Sequence, residues 1–147
     1  MRVARIADVP AIASLRAAWD GVASDPGFER RVADWLRAEG GRRTIWLAER
    51  DGAAVGMATV LEYRRMPRPG RQDAAWGYIG TVFVHVDHRW RGTGAALLSE
   101  IVESAEERGY ARLVVRPSAE AVSLYVRAGF VPADGSEGDL LLVRSGR

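Results

Sequence analysis

His88-Arg89-Trp90-Arg91-Gly92-Thr93-Gly94-Ala95-Ala96-Leu97-Leu98 joins a run that reads as a strand to a run that reads as a helix. Helices ordinarily open on Ser, Thr, Asp or Asn, whose side chain caps a free backbone N–H. This one opens on Gly92 and Gly94, flanked by Arg89 and Arg91, with no acid. Glycine lets a ligand approach the backbone, the first N–H groups of a helix lack internal partners, and the helix dipole makes that end positive. The stretch is therefore predicted to hold an anion, and its convergent donors suit linked phosphates. Two other phosphate-binding patterns fail. A dinucleotide fingerprint needs a third glycine where Leu97 stands, and an acid on the next strand, Arg112–Arg116, which has none. A P-loop needs lysine, and all 21 basic residues are arginine.

The missing lysine also removes Schiff-base and pyridoxal chemistry. The absence of cysteine removes disulfides, thiolate metal sites and thiol nucleophiles. A chain of 147 residues with 48% hydrophobic and 27% charged residues suits one soluble domain, taken as residues 1–147. No apolar run approaches the roughly 20 residues of a membrane span. The opening MRVARIADVPAI lacks the apolar core of a signal peptide. A cytoplasmic location is expected, with no membrane partner. A net charge of +2 is too little concentrated to make nucleic acid the expected partner.

Working outward, Arg2–Ile6 reads as a strand, and Asp8 and Pro10 as the start of a helix carrying Ile12, Leu15, Trp19 and Val22 on one face. Asp25-Pro26 repeats the start signal before Phe28, Val32, Trp35 and Leu36, and Gly40-Gly41 closes that helix. Trp19, Phe28 and Trp35 read as core. Thr44–Glu49 and Ala53–Tyr63 form a hairpin through Asp51-Gly52. Arg64–Asp73 is a loop with four arginines, either solvated or facing a carboxylate or phosphate. Ala75–Val84 is a long strand, Gly92–Arg108 an amphipathic helix, Leu113–Val115 a buried strand. Ser118 caps a helix reaching Ala128. Phe130–Pro132 and Leu140–Val143 are closing strands around the turn Ala133–Asp139. The order implies one α/β domain with a mixed sheet.

Arg89-Trp90-Arg91-Gly92-Thr93-Gly94 fits R/Q-x-x-G-x-G/A, and Ser118 to Phe130 is similar to N-x-x-A-x-x-L-Y-x-x-x-G-F. On these two motifs, in order, the chain resembles the GNAT superfamily of acyl-coenzyme-A-dependent N-acyltransferases, over about Val3 to Val143. The resemblance implies an α/β (α+β) fold with a mixed, mostly antiparallel sheet of six to seven strands, about four helices and splayed central strands. It implies acetyl-CoA as co-substrate, no metal, and direct acetyl transfer to a primary amine in a ternary complex. The acceptor is a small-molecule amine or a peptide N-terminus, and a homodimer is expected. The alternative is a catalytically silent CoA-binding sensor or interaction module of the same fold.

The resemblance assigns the CoA diphosphate to Arg89, Trp90, Arg91, Gly92, Thr93, Gly94 and Ala95, with Ser118, in place of the family's asparagine, able to bond the ligand. Backbone groups of Val82, Val84 and Val86 would bond the pantetheine arm as an added strand, with an N–H near Val84 facing the thioester oxygen. Tyr125 stands where the family often has a tyrosine near the sulfur, and its phenol would protonate the leaving thiolate; core packing is the other reading. Where some members carry a glutamate base, eleven residues before Arg89, this chain has Tyr78. Tyr78 would line the pocket or hold a proton-carrying water. Glu62 is the carboxylate candidate, or a solvated strand-end charge, and Asp73 a third possibility. His85 and His88 read as surface groups near the phosphates rather than metal ligands.

Overall fold

The computed structural model describes residues 1–71, 74–133 and 142–145, Leu142 by its backbone alone. Asp73 and most of the expected turn Ala133–Asp139 lie outside these residues, as does the start of the last expected strand.

The chain builds β1 (Arg2–Val3), α1 (Val9–Asp20), α2 (Phe28–Glu39), β2 (Arg43–Arg50), β3 (Ala53–Arg64), β4 (Ala75–Val84), α3 (Thr93–Glu107), β5 (Arg112–Val115), α4 (Val122–Arg127), β6 (Val131–Pro132) and β7 (Leu142–Ser145). The seven strands form one sheet in the order β1-β2-β3-β4-β5-β7-β6. Every pairing is antiparallel except β4 with β5.

The hairpin between β2 and β3 turns where expected, with Asp51 at φ 52° and Gly52 at φ 80°, the left-handed pair a tight primed turn requires. Period-two alternation then sends Trp46, Ala48, Ala58 and Val60 to one face of the sheet, beneath α3 and α4. Ile45, Leu47 and Met57 face the other way, beneath α1 and α2. On α3, Leu97, Leu98, Ile101 and Ala105 recur at helical spacing and are buried. Each of the two leucines and the isoleucine contributes about 1.5–3 kcal/mol by leaving water.

Several starts differ from the sequence expectation. β1 stops at Val3, and Ile6–Asp8 is a 3-10 turn. Asp8 does not cap α1 with its side chain; its carboxylate accepts from the Arg5 N–H at 2.7 Å and from both terminal nitrogens of Arg2 at 2.7 and 2.8 Å. α1 ends at Gly21 (φ 66°), which leaves Val22 outside the apolar face and exposed. Asp25 pairs with Arg31, and the cap position of α2 is Gly27. Ser118 makes no side-chain cap bond: Ala119–Ala121 form a 3-10 turn and α4 starts only at Val122. Trp19 and Trp35 are not core residues; they are 42% and 39% exposed on the α1–α2 side. The closing strands are Val131–Pro132 and Leu142–Ser145.

Two irregularities in β4 shape the centre of the molecule. β4 runs parallel to β5 only at Gly77↔Leu113, Tyr78↔Val114 and Ile79↔Val115. Past Ile79 the pairing ends: β5 stops at Val115 while β4 runs on to Val84, which leaves that edge of β4 unpaired. At the same place the β3 register jumps from Thr59↔Thr81 to Val60↔Ile79, so Gly80 is an extra residue, a β-bulge. Ile79 packs under α3, while Gly80 and Thr81 both open onto the α1–α2 side.

Candidate active site

The end of β4 delivers the chain to the glycine- and arginine-rich turn before α3. His85 donates its N–H to Val55 O at 2.8 Å, a 3-10 turn spans Val86–His88, and α3 begins at Thr93. Gly92 occupies the cap position at φ 77°, and no side chain caps the helix. The bond from Ala96 N–H to Gly92 O, at 3.0 Å, is the first turn of α3. The preceding N–H groups therefore have no intrahelical acceptor. A Cβ added at Gly92 would meet nothing within 4 Å, and one at Gly94 only Leu124 at 3.8 Å and Val84 at 3.9 Å. A cavity of about 210 Å³ opens beside this turn, with Arg50, Arg91, Gly92 and Thr93 in its wall. Glu49 also faces it, but its carboxylate is held by Arg2. A bare helix start, open space over two glycines and two guanidinium groups fit a diphosphate.

Some expected ligand groups lie elsewhere. Arg89 turns back and donates from Nε to Val84 O at 3.0 Å, its guanidinium 5.9 Å from the Phe83 ring. It braces the turn and already occupies the Val84 carbonyl. Val86 lies beyond the end of β4 in the 3-10 turn, so strand-like pairing extends only to Val84. Trp90 is fully exposed at φ 67°, a left-handed conformation that costs a bulky side chain energy. Thr93, Gly94 and Ala95 begin α3 as expected. Ser118 follows β5 on the far side of the splay. The His85 Nδ1 accepts from the Asp87 N–H at 3.3 Å, and the His88 ring is edge-on at 6.2 Å. Among the described residues no group of three or more His, Asp or Glu gathers for a metal.

Tyr125, on α4, is 4% exposed and packs edge-to-face on Phe130 with ring centroids 5.4 Å apart. Burial pushes its phenol up to about 12. It shares the α3–α4 side of the sheet with Val82 and Val84.

Tyr78 faces the opposite side. There a cavity of about 460 Å³ lies between the sheet and helices α1 and α2, lined in part by Ile12, Trp35, Leu61, Tyr78, Gly80 and Thr81. Beyond Ile79 that edge of β4 has no β5 partner.

Glu62 is not brought to either. It pairs with Gly77, six positions along β3 from Gly56, the partner of Val84. At about 3.3 Å per residue that is about 20 Å. Its carboxylate accepts from Arg64 Nε at 2.8 Å and from the Tyr110 hydroxyl at 2.9 Å. The Arg64 bond, ahead of the Tyr110 bond, holds its proton affinity below the usual glutamate value. Glu62 is thus a structural ion-pair member on the α3 side, and Tyr78 and Glu62 do not form one constellation.

A model of the Acetyltransferase (GNAT) family matches residues 9–130. The chain belongs to this family. It is 27% identical over 99 residues to a glucosamine 6-phosphate N-acetyltransferase of Trypanosoma brucei brucei, covering 67% of this chain and 65% of that protein. It is 33% identical over 88 residues to an amino-acid acetyltransferase of Shewanella oneidensis, covering 60% of this chain and 18% of that protein. The matches therefore span less than two thirds of either curated relative. In fold, a structure described as a predicted acetyltransferase with acetyl-CoA, from Clostridium acetobutylicum, superposes with a TM-score of 0.74 at 18% identity over 92% of both chains. This GNAT chain has no helix, among the described residues, long and apolar enough to cross a membrane.

Sequence reasoning missed Arg43, Arg16, Thr59 and Gly80, all of which line the larger cavity. Arg43 had a readable signal. It alternates with Ile45 and Leu47, so it shares their inward face.

Proposed function

We propose that this protein transfers an acetyl group from acetyl-CoA directly to a primary amine, both substrates bound at once. The observation that carries the reading is the uncapped start of α3, which follows the stretch of β4 left unpaired beyond Ile79. The diphosphate would sit on the N–H groups of Gly92 to Ala95 beside Arg91, and the arm would enter the splay along the unpaired edge of β4 at Val82 to Val84. The amine would enter from the α1–α2 cavity, with Tyr125 on the other side of the gap. Tyr125 would donate a hydrogen bond, then its proton, to the departing sulfur; with no cysteine in the chain, no acyl-cysteine intermediate forms.

Among the described residues no carboxylate lines the α1–α2 cavity. That favours arrival of the amine already neutral, or loss of its proton through water at Tyr78. It is also what supports the second reading, a CoA-binding module without turnover. Calorimetric titration with acetyl-CoA followed by thiol release over an amine panel separates the two: binding with no thiol release leaves the module, and absence of binding removes both. The reading includes a homodimer in the cytoplasm, which light scattering in solution and cell fractionation would check.

A further inference from the structure

The α1–α2 cavity has a cationic floor. Arg43 opens β2 on the same face as Ile45 and Leu47, and its side chain is only 14% exposed. Its guanidinium lies 5.2 Å from the Trp35 ring centroid. The nearest acid, Glu39, approaches Arg43 Nη2 at 3.5 Å and is shared with Arg42 at 3.6 Å. Neither contact is a hydrogen bond: Arg43 Nε and Glu39 Oε2 are both buried without a hydrogen-bond partner. A second guanidinium in the wall, Arg16, is tied through Nε to Asp20 at 3.0 Å. Three arginines thus face two carboxylates, and neither carboxylate lines the cavity. The rest of the wall is largely apolar, with Ile12, Met57, Leu61 and Tyr78.

A buried cation without a matched acceptor is costly, and an anion that completes its hydrogen bonds recovers that cost. We propose that the cavity takes a small primary amine that also bears an anionic group on an apolar body, the anion seated on Arg43. This rests on the acetyl-transfer reading of the same site. Arg43 Nη1 lies 3.4 Å from the Cβ position at Gly80, so the anion seat adjoins the bulge where β4 leaves β5. An acceptor whose nitrogen and anion are one or two carbons apart therefore fits, as in an amino carboxylate. The cations repel an ammonium, so the amine is held as its neutral form at the gap. A peptide N-terminus, whose first carboxyl is an uncharged amide, leaves Arg43 unmatched.

The test compares L-phenylalanine, L-phenylalaninamide, phenethylamine and 2-aminoethyl phosphate by thiol release from acetyl-CoA. In parallel, N-acetyl-L-phenylalanine and its amide are titrated calorimetrically into CoA-loaded protein. An anionic amine should exceed its neutral counterpart at least about tenfold in kcat/KM, and the acid product should outbind the amide similarly. Phenylalanine ahead of aminoethyl phosphate identifies a carboxylate, and the reverse order a phosphate. In Arg43→Met the acid-to-amide ratio should collapse toward one, while Arg43→Lys should restore part of it. Equal or better use of the neutral compounds, or a ratio unmoved in Arg43→Met, overturns the proposal. So does the lack of any acid preference in product binding when no amine turns over. Failure of acetyl-CoA itself to bind overturns the acetyl-transfer reading instead.

Discussion

Tyr125 carries a tension that only the structure exposes. Its place on the last helix was legible from the second motif, but the burial that raises its phenol to about 12 was not. A phenol that weak gives its proton to a free thiolate uphill. It therefore acts late, as negative charge accumulates on sulfur, and it remains protonated through the physiological range. We expect kcat/KM to rise with pH as the acceptor amine deprotonates and to show no falling limb below about pH 10. Tyr125→Phe should cut kcat about 100-fold while leaving acetyl-CoA affinity within about threefold, since the ring still packs on Phe130. A pH–rate profile and calorimetry check both. Glu62 gives the contrasting case. Its strand position was readable, but the Tyr110 bond that helps to occupy it was not, because it joins residues 48 apart in the chain.

At the scale of elements, the anion-binding start of α3 can be set against its own stability. A Cβ at Gly94 would make only ordinary van der Waals contacts, and the backbone there is not in the left-handed region. Gly94→Glu places a negative charge in the first turn, where the helix dipole favours it. The unfolding midpoint should hold or rise, while acetyl-CoA affinity falls at least about tenfold by repulsion of the diphosphate. Unchanged affinity would remove the diphosphate from this turn. Gly77 has the opposite character. A Cβ there would meet Leu113 Cδ2 at 2.8 Å, Val60 Cγ1 at 3.0 Å and Tyr110 Cδ2 at 3.2 Å, where β4 and β5 join. Gly77→Val should cost about 1–3 kcal/mol in urea unfolding. Elements of this kind divide what the sequence reveals from what it hides. The Asp51-Gly52 turn and the amphipathic helix after Gly92 are local patterns: the turn forms where expected, and α3 buries Leu97, Leu98, Ile101 and Ala105 and leaves Val102 half-buried. The bulge at Gly80 is a matter of register between two strands. It reverses the parity of β4 beyond Ile79, and period-two counting along one strand cannot see it. Gly80 lines the larger cavity, and its Cβ position lies 3.4 Å from Arg43 Nη1.

Across the whole molecule, composition and geometry combine to give stability an unusually simple pH dependence. Among the described residues three carboxylates hold protons less tightly in the folded chain: Asp8, at about 2 beside Arg2, Asp25 beside Arg31, and Glu62 beside Arg64. The unfolded chain binds more protons there, so their contribution is complete above about pH 4.5 and is lost as pH falls toward 2. Most of these pairs are solvent-facing, so the acid loss should be modest and should shrink further in salt. Tyr125 has the reverse sign. Its folded-state value lies above the ordinary phenol value of 10, so the stability tied to its neutral form is present below pH 10 and lost between 10 and about 12. Tyr110 moves in the same direction through burial and then Glu62. In most proteins lysines and cysteines titrate over this alkaline range. This chain has none of either, and its arginines stay charged, so Tyr125 and Tyr110 dominate the alkaline limb. Urea unfolding followed from pH 8 to 12 should therefore lose on the order of 2 kcal/mol above pH 10, in step with phenolate absorbance near 295 nm. Tyr125→Phe should abolish the larger part of that loss and leave the acid limb unchanged. An alkaline limb of full size in Tyr125→Phe would show that the buried phenol is not what sets it, and would remove the ground for its late role in protonating sulfur.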